Sequence, residues 1–511
     1  MLKKLRICLA LLFWAGITLL FLDVTGTIQA WLGWMAKLQF LPAVLAANVG
    51  VVVLLAVLTL LFGRVYCSVI CPMGVMQDII SWISGKFRSK NDRKFGRFHY
   101  MNPKWIKVTR GLFLGVFVAC LICGVGVVVV ALSPYGSYGR IAGNLLRPMS
   151  VWVNNQLASW AEAHESYAFY TVQDWVHAAP GLIMAWTSLI VVGLMAWFGG
   201  RLYCNSICPV GTVLGYLSRI SLMRVHINKN KCKGCGLCER KCKAMAINAK
   251  AGTIDATRCV DCFDCLDSCK QDALKYGFVK SVKAEPTPTP AKQQEGGTSR
   301  RAFLATAVTM TAAVALKAEE KTVDGGYITL SDKKPYVRET PLCPPGALSL
   351  SNLRHKCVGC QLCISACPNQ VLRPSTDLDT FMQPVMSFEN GHCRPECHAC
   401  SDVCPAGAIL PLGKTHEEKM ARKTSLKIGR AVFIQDNCIQ VTDGVSCGNC
   451  ARRCPSGAIT MVPVNPDDKK SMKIPAIDDN RCIGCGACEH LCPSRPFAAI
   501  HVEGIEMQHE L

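Results

Sequence analysis

A chain of 511 residues with 32 cysteines, 50% hydrophobic residues and a formal net charge of +20 is not a disordered chain, which would be poor in apolar residues. Nor is it a short secreted domain stapled by disulfides. Its mean hydropathy of +0.24 argues against an ordinary soluble enzyme and points to a membrane protein carrying cysteine-ligated metal centres. The base is uneven: residues 1–230 hold 20 Lys+Arg against 6 Asp+Glu (+14), leaving 36 against 30 (+6) for the rest. Base concentrated in the apolar half suits cytoplasmic membrane loops, and with no readout motif beside it nucleic acid is not an expected partner.

Four apolar runs free of ionised residues come first, at 7–22, 40–62, 111–132 and 181–198. About 20 apolar residues cross a ~30 Å hydrocarbon core, so the expectation is a four-helix transmembrane bundle over 1–220. Trp31, Trp34 and Trp197 stand at its interfaces. The segment 63–110 holds ten Lys and Arg, while 133–180 holds only Arg140 and Arg147. The positive-inside rule puts the first segment in the cytoplasm and the second outside.

Residues 63–74 read GRVYCSVICPMG and 200–211 read GRLYCNSICPVG, identical at eight of twelve positions. Each copy follows the second span of a pair, so both land at one face, as in a parallel duplication. Cys67, Cys71, Cys204 and Cys208 are thereby redox or metal candidates, four thiols being what a tetrahedral site or a cubane takes. If each Cys-x-x-x-Cys is helical, its two thiols lie one turn apart. The alternative is inert thiols at helix ends, with Pro72 and Pro209 fixing the turn. Cys8, Cys120, Cys123 and Cys343 read as ordinary buried or loop thiols.

Six cysteine quartets follow. Cys232, Cys235, Cys238 and Cys242, then Cys259, Cys262, Cys265 and Cys269, have the C-x2-C-x2-C-x3-C spacing of a [4Fe-4S] ferredoxin. The spacing recurs at Cys357, Cys360, Cys363 and Cys367 and at Cys482, Cys485, Cys488 and Cys492. Cys393, Cys397, Cys400 and Cys404 lengthen the first gap by one residue, and Cys438, Cys447, Cys450 and Cys454 lengthen it to eight.

Three thiolates on a short loop wrap one cube, and in two-cluster ferredoxins the fourth comes from the partner quartet. The expected sets are Cys232, Cys235, Cys238 with Cys269, and Cys259, Cys262, Cys265 with Cys242. Next come Cys357, Cys360, Cys363 with Cys404, and Cys393, Cys397, Cys400 with Cys367. Last are Cys438, Cys447, Cys450 with Cys492, and Cys482, Cys485, Cys488 with Cys454. This makes six [4Fe-4S] clusters in two-cluster α+β ferredoxin-like domains over 225–280, 340–415 and 430–511. Zinc favours separated C-x2-C pairs, and a disulfide framework would not repeat a triplet plus Cys-Pro. Residues 393–398 (CRPECH) have one residue too many between cysteines for haem attachment. Lys243 and Lys270 stand where Pro follows the other quartets, a change of local charge.

A linker, 281–298, contains PTPTP and QQEGG, semi-rigid and then flexible. After it, 299–318 opens with Ser299-Arg300-Arg301-Ala302-Phe303-Leu304 and an apolar, small-residue run. This has the shape of an internal twin-arginine export signal, or of a fifth span. Either would put the last four quartets outside.

On these motifs the first ~280 residues resemble the NapH-type membrane ferredoxins of periplasmic nitrate reduction systems, and the chain from about Ser299 resembles their NapG or MauM-type partners. The whole looks like a fusion of the two. The resemblance implies a multi-pass protein of the bacterial cytoplasmic membrane, with its last cluster domains in the periplasm. It further implies a quinol dehydrogenase subunit taking electrons from menaquinol or ubiquinol in the quinone pool to a periplasmic reductase. His99 and His177 are then candidate quinol ligands. Other readings are a maturation factor that reduces a metal or cofactor in a partner enzyme, a cytoplasm-facing donor to quinone, and a recruiting scaffold.

Overall fold

The computed structural model describes residues 2–88, 98–101, 103–166, 169–172, 179–278, 322–323, 328–329, 333–465, 467 and 471–511. The linker, the twin-arginine segment and His177 lie outside the described residues.

Three helices are long and apolar enough to cross a membrane: Leu2–Leu22, Pro103–Ile122 and Ala179–Gly199. At 1.5 Å per residue each spans roughly 30 Å. Leu12, Leu54, Ile183 and Leu194 face outward, as lipid contact requires. The expected four continuous spans are corrected in two places. The second run breaks into Phe40–Leu45 and Val49–Phe62. Ala47 takes φ 53°, and the Asn48 carboxamide accepts from Val51 N at 3.3 Å, capping a new helix of only 14 residues. In the third run Gly124 adopts φ 73° and Val125 N turns back to Cys120 O at 2.8 Å. The helix stops there, and Gly126–Leu132 follows as a separate piece.

Beyond it, Pro134–Ile141 and the π-helical turn Ala142–Leu146 fold back into the bundle. Tyr135 and Tyr138 are each 1% exposed, and the Tyr203 hydroxyl donates to Leu132 O at 3.2 Å.

The first cluster unit is small. Met223–Ile227 pairs antiparallel with Leu274–Phe278, and Ile247–Asn248 with Thr253–Ile254, over a core of Val225, Ile247, Val260 and Leu274. The C-terminal arm has a larger core, drawn from Leu342 through Val502. Leu426–Phe433 pairs with Ile500–Glu510, and Cys393 N donates to Cys485 O at 3.0 Å. The segments 340–415 and 430–511 therefore share one core. Arg338 grips Glu489 with two bonds of 2.7 and 2.9 Å, and Val502 N donates to the same carboxylate at 2.8 Å. These bonds satisfy a pair that would otherwise be costly to bury.

The three long helices connect the two cluster units. At the start of the first, Lys3 pairs with Asp264 and Asp267, each at 3.1 Å; near its end, Phe21 packs on Gly139 beneath the Cys360 loop. In the second, Arg110 donates to Thr257 O at 2.9 Å, while Gly124, just beyond its end, faces His355. In the third, Gly199 packs near Met245 and Gly181 near Pro374. One cluster unit thus sits at each end of the helices.

Candidate metal centres

The four regular quartets wrap their loops in one way. Two and four residues after the first cysteine the backbone takes positive φ: Gly234 and Gly236, Asp261 and Phe263, Gly359 and Gln361, Gly484 and Gly486. Such alternation turns successive N–H groups inward to form an anion-binding concavity. Asp261, Phe263 and Gln361 hold it without glycine, which costs backbone strain.

The loops also bring distant cysteines together. Cys404 lies within electrostatic reach of Cys357, Cys360 and Cys363. Cys367 lies beside Cys393 and Cys400, and Cys242 beside Cys259, Cys262 and Cys265. Cys492 approaches Cys450, and Cys454 approaches Cys482, Cys485 and Cys488. N–H groups point at several sulfurs: Ala246 N at Cys242 (3.4 Å), Ala273 N at Cys269 (3.4 Å), Ala458 N at Cys454 (3.3 Å) and Ala499 N at Cys492 (3.2 Å). Donors of this kind hold the charge of cluster thiolates.

Burial pushes the Cys238 and Cys450 thiols each up to about 11. Burial works against the Lys423 ammonium, yet Cys393 and Cys397 hold its pKa above the ordinary lysine value. These residues fit iron–sulfur clusters.

Two docking seams flank the bundle. On one side Asp261 accepts from Arg64 N at 2.9 Å, and Arg201 N donates to Lys243 O at 2.9 Å. The Lys243 ammonium bridges Asp78 (3.3 Å) and Asp264 (2.9 Å), so the lysine that replaces proline works as a clasp. On the other side Arg140, fully buried, donates to Gly359 O at 3.2 Å. There Asn144 donates to Gln361 at 2.7 Å, and the Gly136 and Gly139 positions abut the carbonyls of Val358 and Cys360.

Cys67, Cys71, Cys204 and Cys208 are buried together in the bundle, in one apolar cluster with Tyr135, Val358 and Cys360. The two copies differ locally: Tyr66–Ile70 is a π-helical turn and Leu202–Ser206 an α-helical one. Of the leftover thiols Cys343 is buried, while Cys8 and Cys123 are exposed.

His99 is exposed and lines none of the cavities described. A cavity of about 990 Å³ instead opens between the bundle and the arm. Trp34 and Val151 line its bundle side, and Cys367, Cys397 and His398 its arm side. The His398 ring meets Asp402 at 2.7 Å and His416 at 3.0 Å. The sequence marks this pair only as a histidine and an aspartate four apart within a quartet, a weak signal.

A family model for a 4Fe-4S binding domain matches residues 44–90 and 179–230, covering both copies of the duplicated motif. A 4Fe-4S dicluster domain matches 356–408 and 444–495, and a further 4Fe-4S binding domain matches 225–248. The methylamine utilization ferredoxin-type protein MauM of Methylobacillus flagellatus is 30% identical over 167 residues, 31% of this chain and 67% of its own length. MauM of Methylophilus methylotrophus is 30% identical over 168 residues, 32% and 70% respectively. The ferredoxin-type protein NapG of Escherichia coli is 30% identical over 161 residues, 30% of this chain and 65% of its own length. No solved structure matches the chain.

Proposed function

The chain belongs to the MauM family of ferredoxin-type proteins, and from that premise we propose that it is a membrane-bound electron carrier that oxidises quinol between its bundle and its arm. The observation that carries this reading is the 990 Å³ cavity, whose wall includes Cys367 and Cys397 of one proposed cluster set. Ligand sites run to roughly 300–1,000 Å³ with a few convergent polar groups, which a quinol ring fits. Trp34 and Val151 offer the isoprenoid tail an apolar edge at the bundle. Asp402 holds the His398 Nδ1, and a quinol hydroxyl would take the place of the exposed His416 at Nε2. Oxidation releases two protons, which leave through the cavity mouth, and two electrons. Clusters held by the cysteine sets would supply one-electron acceptors for that pair.

The proposed ligands are the six crossed sets, and the arm supplies the way out. From Cys393 and Cys397 the chain of contacts passes through the Cys393–Cys485 backbone bond to the set completed by Cys454. It then reaches Cys447 and Cys450, which are only partly buried. That rim is where a partner reductase would dock. The arm lies outside the membrane in this reading, since it docks on residues 133–147 of the 133–180 segment, which holds only Arg140 and Arg147.

Replacing His398 with Ala removes one hydrogen bond to the headgroup. The expected result is a rise of about tenfold in the KM for quinol, with iron content unchanged. An unaltered KM in steady-state assays would contradict the site.

A further inference from the structure

The quinol site and the arm make no use of the duplicated motif, whose geometry is that of a built site. In each copy the second cysteine closes a wide turn on the tyrosine five residues back: Cys71 N to Tyr66 O at 2.9 Å and Cys208 N to Tyr203 O at 3.0 Å. A helix then starts at Pro72 or Pro209, so both second cysteines are N-caps, where a helix dipole favours a thiolate. Gly211 N points at the Cys208 sulfur at 3.4 Å, while the Cys71 side chain makes no cap bond. The first cysteines receive side chains instead: Gln77 Nε2 reaches Cys204 Sγ at 3.2 Å and Arg64 Nη2 lies 3.7 Å from Cys67 Sγ.

The copies interlock with two-fold symmetry. Arg64 donates to Cys204 O at 3.4 Å and Arg201 to Cys67 O at 2.5 Å. A Cβ on Gly74 would strike Cys67 O, and one on Gly211 would strike Cys204 O, each at 2.2 Å. The four thiols are 3–5% exposed, and each is within electrostatic reach of the others.

Charge points the same way. Asp78 is shared by Arg6, Arg201 and Lys243. Arg64, fully buried, forms no ion pair among the described residues: its guanidinium donates to Asn205 Oδ1 at 2.7 Å and Thr257 O at 3.2 Å, and Asp261, which accepts its backbone N–H, is the carboxylate within electrostatic reach. A buried guanidinium with no direct ion pair favours an anion beside it, and four cysteine thiolates around a metal core are one. Four thiolates meet the ligand count of a [4Fe-4S] cubane.

We propose that Cys67, Cys71, Cys204 and Cys208 ligate a seventh iron–sulfur cluster of the [4Fe-4S] class inside the bundle, between the two repeats. On one side Asp261 links Arg64 to the Cys259 thiol, 3.5 Å away. On the other, Tyr135 and Cys360 belong to the same apolar cluster as the four cysteines.

Native mass spectrometry of the anaerobically purified full chain tests the site without quinol or turnover. The wild type is expected to reach seven cluster masses. The Cys67→Ser/Cys204→Ser variant should lose one, with about four fewer irons per chain and the electron paramagnetic resonance of the remaining clusters unchanged. Arg64→Gln, which keeps all four thiols, should retain seven and shift the potential of one cluster downward. A Cys67→Ser/Cys204→Ser protein carrying as many clusters as the wild type overturns the proposal. Should that variant fail to accumulate, a wild-type ceiling of six, with all four thiols alkylated by a membrane-permeant reagent under native conditions, overturns it equally.

Discussion

Gly136→Leu is expected to release the arm from the bundle. A Cβ at this position would stand 2.2 Å from Val358 O and 3.1 Å from Ser133 Oγ. Neither the short helix nor the loop can yield, because Gly139, three residues on, is pressed just as closely, 2.4 Å from Cys360 O and 2.8 Å from the Phe21 ring. Overpacking of a rigid contact costs about 3 kcal/mol, equivalent to roughly 100-fold in the docking equilibrium. The cavity lies along this seam, so quinol-dependent reduction should fall by a similar factor while the iron content stays at the wild-type level. Hydrogen exchange at residues 358–361 would rise with it. Gly193→Leu is the control, since nothing lies within 4 Å of its Cβ position. If Gly136→Leu leaves exchange at 358–361 unchanged, the seam is not what holds the arm.

Cys404→Ser separates crossed from local ligation. Cys404 belongs by sequence to the quartet that begins at Cys393, yet it sits beside Cys357, Cys360 and Cys363. The expected result is loss of about four irons per chain, with hydrogen exchange opening at the 357–363 loop and not at 393–400. Cys367→Ser should give the mirror image. Exchange opening at 393–400 in Cys404→Ser would mean that each quartet keeps its own fourth cysteine.

These expectations draw unequally on sequence and structure. The cysteine loops are legible because their chemistry is local: ligands two or three residues apart write the wrap directly into the chain. The duplicated motif is legible as a repeat for the same reason. Where the membrane helices break is less so. A hydropathy run over 40–62 reads as one span, and only the left-handed Ala47 and the Asn48 cap divide it. The 133–147 segment reads as an external loop, while its glycines and Arg140 matter through carbonyls of residues 358–360, more than 200 positions on. The same distance hides the cavity, which no single stretch of chain encloses. His99 draws attention by its sequence position near an interface, whereas His398 acquires its place from Asp402, His416 and the opposing bundle wall. Lys243 is conspicuous as a missing proline, yet its ion pairs with Asp78 and Asp264 are formed across three separate segments.

The central claim is that quinol delivers electrons to the clusters of this chain, and anaerobic mixing tests it most directly. The full chain, cluster-loaded and oxidised in lipid vesicles, is mixed with a short-tailed naphthoquinol while its iron–sulfur absorption is followed. The expected result is bleaching that saturates with quinol concentration and reaches a substantial part of the dithionite endpoint. Full reduction by dithionite with none by quinol would contradict it.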